Sequence, residues 1–134
     1  MFEDRTKRTE ISELGEFGLI DYLTKGIKLE QESSIYGVGD DAAVINPKDK
    51  KVLISTDLLV EGIHFDLTYA PLKHLGFKAA VVNFSDIAAM NAIPTQITVS
   101  IAISNRFSLE AVDELYKGIK LACKQYQVDL VGGY

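Results

Sequence analysis

Apolar positions recur along the chain at two spacings, and the switches between them mark out its elements. In "GEFGLIDYLTKGI", Phe17, Ile20, Leu23 and Ile27 stand three or four residues apart, with Gly26 placed to end a short amphipathic helix. "EQESS" reads as a polar link, and "AAVIN" as a short strand closed off by Pro47 and the "KDKK" turn. "KVLISTDLLVEGIHF" opens with a period of two that separates Val52, Ile54, Thr56, Leu58 and Val60 from Leu53, Ser55, Asp57 and Leu59, so Ser55 and Asp57 share a face. From Pro71 to about Asn91 the chain starts with proline at a first helical position and is then apolar around most of a helix circumference, which predicts burial on more than one side. "TQITVSIAI" alternates strictly, with Ile97, Val99, Ile101 and Ile103 on one face and Thr98, Ser100 and Ala102 on the other. Behind an N-cap at Ser108, residues Leu109, Val112, Leu115, Tyr116, Ile119, Ala122, Cys123 and Tyr126 trace one helical stripe. "VDLVGGY" is a last strand running into a glycine turn.

The order of helix, two strands, helix, strand, helix, strand predicts an α+β fold, a mostly antiparallel or mixed four-stranded sheet with helices on one face. The opening ten residues lack apolar periodicity, so residues 1–14 are expected to be a mobile arm and 15–134 the domain. Small residues along one side of the 95–103 strand call for a close neighbour, for which a partner subunit is a candidate.

Composition narrows the function classes. At 134 residues and 47% apolar content the chain is of single-domain size with a core. A formal charge of -5 argues against a nucleic-acid binder, which would carry a basic stripe, so a phosphate ligand would call for a metal between it and the protein. No apolar run is long enough for a bilayer, and "MFEDRTKRTE" is unlike a signal peptide; the expectation is a cytoplasmic protein without a membrane partner. Cys123 is the sole cysteine, which rules out an internal disulfide and a cysteine-rich metal site.

Several polar groups stand where packing alone would not need them. In "YGVGDDAAVI", residues 36–45, Asp40 and Asp41 sit behind Gly-x-Gly and before an apolar run, read either as a turn or as oxygen ligands for a hard divalent cation. Asp57 in mid-strand is either an edge residue in water or a ligand. Asp86 lies in an apolar helix, where a buried carboxylate costs several kcal/mol unless paired or metal-bound. His64 reads as a surface or hydrogen-bonded histidine before a ligand, and Tyr116 and Cys123 as core. "VGGY" is a turn or a place where backbone approaches a phosphate.

Taken in order, "GEFGLI", "GVGDDAAVI", "ISTDLLVEGIHF", "AAVVNFSDIAAMNAIP" and "DLVGG" resemble the N-terminal part of the thiamine-monophosphate kinase family, within the ATP-using aminoimidazole ribonucleotide synthetase-like superfamily. The resemblance spans about residues 15 to 133. It implies Mg²⁺-assisted phosphoryl transfer from ATP to thiamine monophosphate. Asp41, Ser55, Thr56, Asp57 and Asp86 would hold metal, His64 would lie near the thiamine phosphate, and Tyr116, Gly132 and Gly133 would line the nucleotide site. No catalytic base is assigned, because such transfer depends on positioning and electrostatics. The resemblance also implies a homodimer whose sheets close into a barrel, and a C-terminal domain absent from this chain. The family pattern continues "VGGD" where this chain has Tyr134, so one expected metal ligand is missing. A selenophosphate synthetase would want a reactive cysteine in an early glycine-rich loop, which is absent here; aminoimidazole ribonucleotide synthetase and a non-catalytic nucleotide-binding and dimerisation module are the other readings.

Overall fold

A computed structural model describes residues 7–133, with helices α1 (Gly15–Thr24), α2 (Leu72–Ala89) and α3 (Leu109–Tyr126) and strands β1 (Ser34–Tyr36), β2 (Val44–Ile45), β3 (Gln96–Thr98) and β4 (Asp129–Gly132). α3 follows from its stripe: Leu109, Val112, Tyr116, Ile119, Ala122 and Cys123 are buried, and the Ser108 hydroxyl accepts the Ala111 N–H at 3.2 Å as the N-cap. α2 turns Leu75, Gly76, Ala80 and Phe84 toward it. The ring of Phe84 meets Tyr126 edge-on at 5.9 Å. Leu23 of α1 and Val128 and Leu130 near β4 complete the core, where each fully buried aliphatic side chain contributes about 1.5–3 kcal/mol.

The two main helices touch through glycines. A Cβ on Gly118 would stand 1.9 Å from the Lys73 carbonyl oxygen, and one on Gly76 1.9 Å from that of Leu115. Only hydrogen at both positions lets the backbones come this close.

The sheet differs from the expectation. In place of one four-stranded sheet there are two ribbons: β1 and β2 antiparallel, with Ser34 opposite Ile45, and β3 and β4 parallel, with Ile97 opposite Leu130 and α3 as the crossover between them. β1 begins inside what reads as a polar link. The run from Val52 to Val60 forms no strand; among the described residues, 51–60 have no regular secondary structure and pair with no other strand. Its alternation puts apolar groups on both faces, and among the described residues no second strand pairs with it and Val52 to Leu58 stay exposed. Ile54 is 90% exposed and Leu58 78%. The 97–103 alternation holds beyond the short β3: Ile97, Val99, Ile101 and Ile103 pack on the core while Thr98, Ser100 and Ala102 face outward. α2 likewise buries one stripe only, leaving Ser85, Asp86, Ala88, Ala89 and Met90 exposed. Phe17, read as part of the α1 stripe, is also exposed.

Side chains tie these pieces together. The buried carboxylate of Asp129 accepts the N–H groups of Glu30 and Gln31, both at 2.9 Å. Gln96 Nε2 donates to the hydroxyls of Ser33 and Ser34 at 2.8 and 2.9 Å. Of the expected arm, residues 1–6 lie outside the described residues; Thr9 donates its N–H and its hydroxyl to Glu110 at 2.8 and 2.7 Å, and Glu10 bridges Ser108. These two bonds from Thr9 hold the Glu110 carboxyl down at about 2. Among the described residues no helix is long and apolar enough to cross a membrane.

Candidate functional site

The Gly-Asp-Asp turn is held by its own first carboxylate: Asp40 Oδ1 accepts the Asp41 N–H at 2.9 Å, the capping role open to it from sequence, and Gly39 takes a positive φ of 140° that a residue with a Cβ rarely adopts. Asp41 is exposed. Ser55, Thr56 and Asp57 are exposed on the unpaired 51–60 segment. Asp86 is exposed on α2, a correction to its expected burial, because that side of the helix is uncovered. Ser55 Oγ and Asp86 Oδ2 come within 3.4 Å, joining groups 31 residues apart.

These donors are hard oxygens of the type Mg²⁺ takes. Their arrangement does not complete a shell: among the described residues no group of three or more His, Cys, Asp or Glu side chains could hold a metal ion. Tyr134, where the family pattern has aspartate, lies outside the described residues.

Tyr116 is buried, and burial raises its phenol above the ordinary tyrosine value. With Gly133 it lines a cavity of about 430 Å³ between α1, the 101–105 segment and α3, walled mainly by Leu19, Ile20, Leu23, Ile101 and Ile103. Gly133, just past β4, has a local structural reason. Val99 N–H donates to the Gly132 carbonyl at 2.9 Å, and a Cβ on Gly133 would lie 1.6 Å from the Val99 oxygen.

His64 belongs to neither group. It stands in a tight turn where its Nδ1 accepts the Val60 N–H at 2.8 Å and its own N–H donates to the Val60 carbonyl at 2.8 Å. It lines a second cavity, of about 360 Å³, at the start of α2. The structure thus brings Ser55 to Asp86, lines one cavity with Tyr116 and Gly133 and another with His64, and bonds Asp41 through its N–H to Asp40. Sequence reasoning missed Asp129, Gly76, Gly118, His74 and Lys78. A carboxylate inside "VDLV" and a glycine inside each of two helical patterns were the available signals.

A family model described as AIR synthase related protein, N-terminal domain, matches residues 39–134. Thiamine-monophosphate kinase of Synechococcus elongatus is 40% identical over 124 residues, covering 92% of this chain and 36% of the relative. The crystal structure of thiamine-monophosphate kinase from Stenotrophomonas maltophilia K279a superposes with a TM-score of 0.73 at 31% identity, over 89% of this chain and 37% of that one. AaThiL complexed with AMPPCP and TMP superposes with a TM-score of 0.61 at 38% identity, over 97% of this chain and 39% of that one. The chain therefore spans little more than a third of the length of these relatives.

Proposed function

The chain belongs to the family of AIR synthase related proteins as an N-terminal domain, and from that premise we propose that it is the N-terminal part of a kinase transferring a phosphoryl group from ATP to thiamine monophosphate. The relatives carry that name, and one structural neighbour is complexed with AMPPCP and TMP. The observation that carries the reading is the Ser55–Asp86 contact, which brings the Ser-Thr-Asp segment onto α2 across 31 residues of chain. Asp41, Ser55, Thr56, Asp57 and Asp86 are the proposed Mg²⁺ donors; bound there, the ion supplies neutralisation of phosphate charge. Tyr116, Gly132 and Gly133, beside the apolar cavity, are the proposed nucleotide contacts, and His64 the contact to the acceptor. No side chain is assigned as base. The domain, residues 15–134, would be completed by a C-terminal domain outside this chain, and a cytoplasmic location is part of the same reading.

Titration calorimetry of this chain with ATP, with and without Mg²⁺, tests it. Binding is expected to need Mg²⁺ and to weaken at least about tenfold in Asp86→Asn, with the fold unchanged because the carboxylate is exposed. Metal-independent binding, or binding indifferent to Asp86→Asn, would remove the proposed role of these donors.

The reading includes a homodimer. The uncovered apolar residues of the 51–60 segment and the outward row Thr98, Ser100 and Ala102 support a second copy closing the sheets, since unpaired strands and exposed apolar residues otherwise invite uncontrolled association. Sedimentation equilibrium at micromolar concentration should return twice the chain mass, and Ile54→Glu should return one. A monomer before the substitution would contradict it.

A further inference from the structure

Residues 7–14, for which the sequence predicts a mobile arm, form a strap that is fastened near its start and packed loosely along the rest. The fastening gathers on the entry to α3. Thr9 gives its N–H and its hydroxyl to the Glu110 carboxylate at 2.8 and 2.7 Å, its carbonyl accepts the Leu109 N–H at 2.9 Å, and Arg8 Nη2 donates to the Arg106 carbonyl at 3.1 Å. None of residues 7–14 is buried, and Ile11 is the strap's partly buried contact with the core.

The same strap walls the cavity of about 430 Å³: Glu10, Ile11 and Ser12 line it together with Tyr116 and Gly133. At the far end of the strap Gly15 takes a φ of 68°, with nothing within 4 Å of where a Cβ would stand, so the chain can turn there without a clash. Releasing the strap costs the bonds at Arg8 and Thr9 and the partial cover of Ile11. Opening the cavity from the side of α3 would instead break the core built on Val112, Tyr116 and Ile119. Segments held by a few hydrogen bonds and little apolar burial open first, well short of global unfolding.

We propose that residues 7–14 are a gate on this cavity, latched by Thr9 on Glu110 and pivoting at Gly15, that opens to admit the nucleotide and closes over it. This rests on the assignment of Tyr116 and Gly133 as nucleotide contacts and adds what controls access to them. Thr9 and Glu110 are positioning residues, acting through the strap.

Two measurements on this chain test it. By native-state hydrogen exchange, the amides of Thr9 and Leu109, which form the latch, should exchange at least about tenfold faster than those of Ile119 and Ala122 in α3. Equal protection would overturn the gate, and this reading needs no substitution. The second places a cysteine in the cavity wall, Ile101→Cys, and follows its alkylation by neutral iodoacetamide; the native Cys123 is buried with its thiol pushed up to about 11, so it reacts slowly. In that background Thr9→Val and Glu110→Gln should each raise the rate roughly tenfold, as the open fraction grows by the loss of one charged hydrogen bond, while Thr9→Ser should keep the parent rate. Saturating ATP with Mg²⁺ should slow it. Rates indifferent to both latch substitutions would overturn the gate. Latch variants that speed alkylation while ATP with Mg²⁺ binds without protecting the cysteine would overturn the nucleotide as what the gate admits. Should they speed it while ATP with Mg²⁺ fails to bind anywhere, the kinase reading falls and the gated cavity stands.

Discussion

Gly118→Ala should destabilise the domain by about 2–4 kcal/mol even though it replaces glycine with the best helix former in the middle of an 18-residue helix. Propensity alone favours the substitution by about 1 kcal/mol. Against it stands a Cβ placed 1.9 Å from the Lys73 carbonyl oxygen and 2.8 Å from the Phe77 nitrogen, both backbone atoms that no rotamer change can move aside. The helices must separate, and the contacts among Leu75, Ala80, Phe84, Val112, Tyr116 and Ile119 loosen together. For a domain whose whole stability is on the order of 5–15 kcal/mol, that is a large share. Gly76→Ala meets the Leu115 carbonyl at the same crossing, so it should cost a similar amount, and the double variant less than the sum, since the first substitution has already opened the interface. Urea denaturation followed by circular dichroism measures all three. A Gly118→Ala chain more stable than the parent by the propensity difference would mean that the helices do not touch at this point.

The helices were legible because each writes its own period: α3 needs only its stripe and Ser108, and the stripe is buried or half-buried from Leu109 to Cys123 while its last member, Tyr126, is exposed. What one face of an element meets is written elsewhere in the chain, and there the reading failed. The Val52–Val60 alternation is a strand pattern that finds no partner strand among the described residues, so Val52 to Leu58 stay exposed. α2 is apolar around most of its circumference, yet among the described residues it packs mainly on α3, and Asp86 lies on the exposed side. Ser34–Tyr36 pairs because Gln96 and Asp129, more than 60 residues away, hold the chain entering it. For the candidate site, residue types in order pointed to Asp41, the Ser-Thr-Asp run and Asp86, while spacing could not say which of them meet. Gly132 and Gly133 carried a signal with two causes, and close passage against Val99 accounts locally for Gly133, whereas a Cβ on Gly132 would meet only the Thr98 methyl at 3.8 Å.

Asp129→Ala should cost about 3–5 kcal/mol, the range for stripping a buried charged partner from the groups it satisfies. The residue is 3% exposed on β4, and its two oxygens take the N–H groups of two successive residues, Glu30 and Gln31, which anchors the backbone of the loop from α1 into β1 at these two positions. Alanine removes both acceptors and leaves a void, so the loop either loses two hydrogen bonds or pulls out to reach water. Asparagine keeps the shape and one acceptor oxygen but turns an N–H toward a donor, and should cost a lesser part of the same amount. Hydrogen exchange gives the local reading. Amides of Glu30 and Gln31 should exchange much faster in Asp129→Ala, with those of Val112 to Ala122 in α3 changed only as far as global stability falls. Cys123 provides a second probe. Its thiol is pushed up to about 11, first by burial and then by the negative charge of Asp129, so Asp129→Asn should bring it part of the way down while burial keeps it above the ordinary thiol value. Alkylation rate against pH reads that shift. Unchanged exchange at Glu30 and Gln31 in the alanine variant would show that the loop is held by something other than this carboxylate.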